Sequence, residues 1–206
     1  NKLSLIFSFY DKENADDRTL YDQHGIKILN VDEGGNVQFV VYGYMNRGMH
    51  EGEVGIQLYS FSSSLNTIEE LLYIPSQKTY AVLAAQMEQL LYQNRNQRLY
   101  FLFENQVHCV DLESRSNSIL IENIGDGSLM VSDNHKILLW SDGESANTAT
   151  AMYIMNLQSD TNRVVRVEEG QVIKPLGFME EDIIYGVAHV EDVVVENSGQ
   201  IFFPMY

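Results

Sequence analysis

Two short runs place an imidazole beside carboxylates: His50-Glu51-Gly52-Glu53 and His189-Val190-Glu191-Asp192. A histidine with acidic neighbours can act as a general acid or base, or can share a cation with a carboxylate. Neither run has the H-E-x-x-H or His/Cys spacing of a zinc site, and His24, His108 and His135 add none. Asp142-Gly143-Glu144 brings a third pair of carboxylates, too sparse for a calcium loop. The candidate ligand-binding residues are therefore His50, Glu51, Glu53, Asp142, Glu144, His189 and Glu191. The bland reading of the two histidine runs is two solvated acidic loops, and that of Asp142-Gly143-Glu144 is a turn. No metal and no cofactor is expected.

Other chemistry is missing from the pattern. There is no G-x-S-x-G elbow, phosphate-binding loop or dinucleotide fingerprint. Ser62, Ser63 and Ser64 read as a turn rather than a nucleophile. The single cysteine, Cys109, lies between valines and reads as a buried, inert thiol. With no catalytic residue assigned, the favoured reading is a non-catalytic binding module. A hydrolase or lyase with a site near His50, His189 and Glu191 is the alternative.

The elements that would carry these loops are short strands. The 206 residues are 45% hydrophobic and 11% aromatic, and twelve of the aromatics are tyrosines, which suits pleated, half-buried surfaces. Asp and Glu number 29 against 13 Lys and Arg, a net charge of −16. A field of that sign repels phosphate backbones, so nucleic acids and anionic membranes are poor partners. No apolar run reaches the roughly 18 residues that a membrane helix needs.

A loose internal repeat organises the strands at a spacing of roughly 45 to 50 residues, the range of propeller blades. Val107 to Ser114 (VHCVDLES) lines up with Met152 to Ser159 (MYIMNLQS), so that Asp111-Leu112 matches Asn156-Leu157. Ile56 to Ser63 is an earlier copy. Val40-Val41-Tyr42-Gly43 matches Ile183-Ile184-Tyr185-Gly186. The fold class expected is all-β: a propeller-like array of about four blades of four antiparallel strands. Residues 3–10 are expected as a buried strand. Residues 80–92 are expected as a short helix or turn followed by a strand, because Leu83, Met87, Leu90 and Leu91 recur at helical spacing. The long loops, residues 46–53, 142–148 and 191–200, fall between the second and third strands of their units, which places binding there.

The third unit carries a resemblance. Leu129-Met130-Val131-Ser132-Asp133-Asn134-His135-Lys136 leads to Ile137-Leu138-Leu139-Trp140, and Met152-Tyr153-Ile154-Met155-Asn156-Leu157 follows. This resembles the blades of TolB-like and WD-repeat-like bacterial propellers. His135 stands where that pattern has glycine, and no Trp-Asp dipeptide occurs. The resemblance implies a fold and no active site. It further implies a protein, peptide or glycan ligand and a bacterial extracellular or cell-envelope setting. Residues 1–206 are read as one domain of a longer protein, either a closed ring of four blades or half of a seven- or eight-bladed ring.

Overall fold

The computed structural model describes residues 5–9, 23–124, 128–142, 148–180, 182–195 and 201–202. Three four-stranded antiparallel sheets account for most of it. The first contains β1 (His24–Val31), β2 (Val37–Tyr44), β3 (Val54–Ser62) and β4 (Thr67–Pro75), paired in that order. Helix α1 (Tyr80–Gln89) follows, then a sheet of β5 (Leu91–Gln93), β6 (Arg98–Phe103), β7 (Gln106–Asp111) and β8 (Ser116–Ile121). The third sheet is β9 (Leu129–Val131), β10 (Ile137–Ser141), β11 (Ala151–Asn156) and β12 (Thr161–Arg166). The fourth unit differs from the expected blade. β13 (Gln171–Met179) and β14 (Asp182–His189) form one two-stranded sheet. A 3-10 turn at Val190–Asp192 leads to β15 (Val194–Val195), which pairs with β16 (Ile201–Phe202) in another. Among the described residues no helix is long and apolar enough to cross a membrane.

The repeat is explained by its turns. Three third strands end on a residue whose side chain accepts from the backbone ahead. Asp111 Oδ1 accepts from the Glu113 and Ser114 N–H groups, and Asn156 Oδ1 accepts from those of Gln158 and Ser159. Ser62 Oγ accepts, more loosely, from the Leu65 N–H. Four residues later each chain passes through a left-handed conformation, at Asn66, Arg115 and Asp160, and the fourth strand begins. Asp, Asn and Ser at the strand end are thus selected by Asx- and ST-type turns. The turns between first and second strands repeat the device, with positive φ at Gly35, Gln97, His135 and Glu180. His135, which stands where the resembling pattern has glycine, has φ 56°, in the left-handed region that favours glycine.

The capping carboxylate makes this turn sensitive to acid. Hydrogen bonds from the Ser114 backbone and hydroxyl hold the Asp111 carboxyl below the usual 3.8. A folded value below the unfolded one contributes stability that is present above the ordinary value and lost as pH falls through the folded one. Asp111→Asn, which copies Asn156, keeps the cap and removes this loss. The variant's thermal stability should therefore fall less than that of the wild type below about pH 4.

A second turn offers a gain. β6 and β7 are joined by two residues, Glu104 and Asn105, with φ of 50° and 60°. That is the type I′ geometry, which favours glycine at the second position. Asn105→Gly should raise the free energy of unfolding by about 1 kcal/mol in urea titrations, because the left-handed cost disappears.

The chain divides into two compact units. The first comprises Asn1–Gln93, Gln97–Glu104 and His108–Ser118; the second comprises Asn94–Asn96, Asn105–Val107 and Ile119–Tyr206. In the first unit both faces of β2 are buried. Val37, Phe39 and Val41 join Met45 and Phe61 on one side, and Val40 and Tyr42 face Leu83, Met87, Leu99 and Phe101 on the other. This is why the central strands read as apolar runs rather than alternating ones. Helix α1 covers the second side with Leu83 and Met87, both fully buried. Gln86 stays buried because its side-chain oxygen accepts from the Glu104 N–H. The helical spacing expected over 80–92 thus gives a helix and then β5. Residues 5–9 carry no strand, although one is expected over 3–10; Ile6, Phe7 and Phe9 instead pack as irregular chain on the Phe39 side. The remainder of that stretch lies outside the described residues. In the second unit Ala149, Met152 and Ile173 form a smaller core with Ile154, Val165, Val167 and Ile183.

Candidate functional site

The β2–β3 loop of the first unit builds the site. Residues 46–53 leave β2 and return, tied by the Met45 N–H to the Glu53 carbonyl and the Gly52 N–H to the Met45 carbonyl. That closure holds His50 back over the sheet, where its ring stacks on Tyr73 of β4 at a centroid distance of 3.6 Å and an angle of 17°. His50 Nδ1 lies 3.3 Å from Glu53 Oε2, and Nε2 lies 3.2 Å from Glu70 Oε1. Gln57 of β3 donates its amide to the other Glu70 oxygen at 2.6 Å. Carboxylates only accept, so both imidazole contacts are hydrogen bonds together when the ring carries both protons.

A β-bulge brings these groups to one face. The β3–β4 register pairs Gln57 with Tyr73, then shifts so that Tyr59 pairs with Glu70. Simple alternation places residues 70 and 73 on opposite faces, and the extra residue cancels that. Gln57, Tyr59, Glu70 and Tyr73 therefore share a face. Tyr59 is half-buried against Phe39 and Phe7, and burial, with the Glu70 charge adding to it, pushes its hydroxyl up to about 12. Burial also raises the Tyr73 hydroxyl, with Glu53 reinforcing the effect. Both stay neutral phenols at physiological pH and act as walls and donors. Tyr73 Oη donates to the Val54 carbonyl at 3.3 Å.

Beside this stack a groove of about 630 Å³ opens, lined by His50, Glu53, Val54, Tyr73, Pro75, Ser76, Gln77 and Glu104. The volume is in the range of small-ligand sites. Two of its lining residues are acidic: Glu53, which is solvent-facing, and Glu104, which accepts from the Ser76 hydroxyl at 2.8 Å. The Ser76 N–H, bonded to the Val54 carbonyl, fixes the floor.

Of the residues expected from sequence, His50 and Glu53 meet here. Glu51 is exposed on the same loop but does not line the groove. Asp142 is engaged in shaping its own loop: Oδ1 accepts from the Thr150 and Ala151 N–H groups and Oδ2 from the Thr150 hydroxyl. His189 and Glu191 are exposed, at the end of β14 and in the 3-10 turn of the second unit. Glu144 lies outside the described residues, as do residues 196–200 of the third long loop. Among the described residues no group of three or more His, Cys, Asp and Glu is arranged to hold a metal ion. Glu70, Tyr73, Gln57, Ser76 and Glu104 are the residues that sequence reasoning missed. Cys109 is buried, as expected. Trp140 stacks on its cross-strand partner Tyr153, with centroids 5.2 Å apart.

No family model matches this chain, and no curated protein matches it either. Among solved structures it is similar to the β-propeller domain of the Trilobed protease from Pyrococcus furiosus, at 11% sequence identity and a TM-score of 0.34. The match covers 90% of this chain and 58% of that one, so this chain spans less than two thirds of that structure's length. The geometry of its own strands carries the conclusion: blade-type antiparallel sheets with repeated turns make this an all-β, propeller-like chain.

Proposed function

We propose that the chain is a non-catalytic binding module whose first unit takes a cationic side chain of a protein or peptide ligand in the groove beside the β2–β3 loop. The observation that supports this reading most is the pair of carboxylates, Glu53 and Glu104, in a groove also lined by the stacked rings of His50 and Tyr73. Two carboxylates in one groove suit an ammonium or guanidinium group, and an aromatic wall suits its alkyl stem. The net charge of −16 would favour approach of such a ligand. A cell-envelope setting in a bacterium belongs to the same proposal and rests on the resemblance alone.

The test is a nuclear magnetic resonance titration with tetralysine and, in parallel, tetraalanine. Tetralysine should shift Glu53, Tyr73, Ser76 and Glu104 selectively. Each of Glu53→Gln and Glu104→Gln should weaken binding about tenfold, the scale of one charge-assisted hydrogen bond. The Glu33→Gln/Glu113→Gln double variant, which removes two exposed carboxylates outside the groove, should leave it unchanged. Equal losses in both sets, or shifts dispersed over the surface, would refute a built site. Turnover of a substrate that His50→Ala abolishes would refute the non-catalytic reading.

A further inference from the structure

Among its described residues the fourth unit pairs its strands two by two, and its sequence says which strand lacks a second neighbour. Val40-Val41-Tyr42-Gly43 of β2 corresponds to Ile183-Ile184-Tyr185-Gly186 of β14. β2 is a second strand with a partner on each side, β1 and β3. β14 has β13 on one side and, among the described residues, no strand on the other. The exposures follow. Val41 and Tyr42 are 1% and 6% exposed, whereas Ile184 and Tyr185 are 42% and 43%. Val187 is exposed as well, so apolar side chains on both faces of β14 stand in solvent.

The two edges of this hairpin are not alike. β13 carries Pro175, which has no N–H to offer, and its register shifts between Pro175 and Gly177. Proline and a bulge are devices that blunt an edge. Between Asp182 and His189, β14 has neither, and no charge interrupts Ile183 to Ala188. Its ends, by contrast, are acidic, with Glu180 and Asp182 before the apolar run and Glu191 and Asp192 after it. A second copy pairing antiparallel would set one acidic end against the other, and like charges opposed across strands repel. A strand with Lys or Arg at both ends places opposite charges at the same two places.

We propose that the free edge of β14 is a docking site for an extended segment of a partner protein, added antiparallel as a third strand, with alternating apolar residues flanked by basic ones. Backbone hydrogen bonds supply the affinity, the exposed Ile184, Tyr185 and Val187 supply apolar cover, and the acidic ends select the flanks. The proposal stands apart from the groove of the first unit and uses none of its residues.

The probe is a fluorescent peptide of eight alternating valines and threonines with two lysines at each end, followed by anisotropy at low and physiological salt. It should bind at least tenfold more tightly than the same peptide with glutamates at its ends, and the gap should narrow as salt rises. A proline at the centre of the peptide should remove binding. Ile184→Lys/Val187→Lys, at exposed positions that folding tolerates, should weaken it at least tenfold, with an unchanged melting curve as the check on folding. Glu53→Gln/Glu104→Gln should bind the probe as the wild type does, which keeps this test separate from that of the groove. Equal binding of the proline peptide, or indifference to the β14 double variant, overturns the proposal. So does a dimer of the protein alone, seen by sedimentation, that Val187→Lys dissociates, because the edge would then belong to a second copy.

Discussion

Phe101→Ala should lower the free energy of unfolding by about 4 kcal/mol, the range of buried aromatic truncations. Phe101 is fully buried in β6. It joins Val40, Tyr42, Ile56 and Leu58 of the first sheet to Leu83 and Met87 of the helix in one cluster. Its ring stacks on His108 at 5.3 Å and meets Phe103 edge-on at 6.5 Å. Truncation therefore empties a space bounded by two sheets and a helix, none of which can close alone. Burial also lowers the pKa of His108, so the ring beside Phe101 is held neutral. A variant that opens the site to water frees His108 to charge in the folded state and so removes an acid penalty that the wild type carries, which makes the loss relative to the wild type smaller at pH 5.5 than at pH 7. Urea titration at pH 7 and at pH 5.5 checks both parts. A loss below about 1 kcal/mol would mean that the cluster is not the core of this unit.

Gly43→Ala should destabilise the first unit by about 3 kcal/mol, from two independent costs. The backbone at Gly43 has φ +106°, a conformation that side chains rarely adopt. A methyl group there would collide with the Gln23 carbonyl oxygen and lie 2.9 Å from the Tyr80 ring and from the His24 Cα. The chain cannot yield easily, because the neighbouring Tyr44 N–H donates to that same Gln23 carbonyl at 2.7 Å. Overpacking and strain of this kind add. Gly43 is also the penultimate residue of β2, the strand from which the groove loop departs, so the variant should reduce tetralysine binding along with stability. Chemical denaturation beside the titration described above separates the two effects.

How much of this was legible in the sequence depends on range. The turn devices are local, and the match of Asp111-Leu112 to Asn156-Leu157 read them directly, because each side chain caps a backbone group two or three residues on. The helix of 80–89 announced itself through Leu83 and Met87. The groove did not. His50 meets Glu70 across twenty positions, and Glu70 and Tyr73 share a face only because a bulge breaks the alternation. An observer counting by twos separates them. Glu104 is further still: it reaches the groove through a turn of the next sheet, and its only local sign is a charged residue in a two-residue hairpin. The expected fourth blade came out as two pairs of strands because the repeat marks β14 as a second strand without specifying its partner. Apolar residues at 3–10 predicted burial, which Ile6, Phe7 and Phe9 show, and burial does not require a strand.

Among the described residues the chain repeats a four-stranded blade three times and leaves β14 without a second neighbour. Amide hydrogen exchange measured residue by residue tests it most directly. In β2 every amide from Phe39 to Tyr42 should be strongly protected, since both edges are paired. In the corresponding stretch of β14, residues 183–188, protection should alternate, with every second amide exchanging at least a hundredfold faster because it points to solvent. Uniform slow exchange across β14 would contradict the account, and uniform fast exchange across β2 would contradict the blade itself.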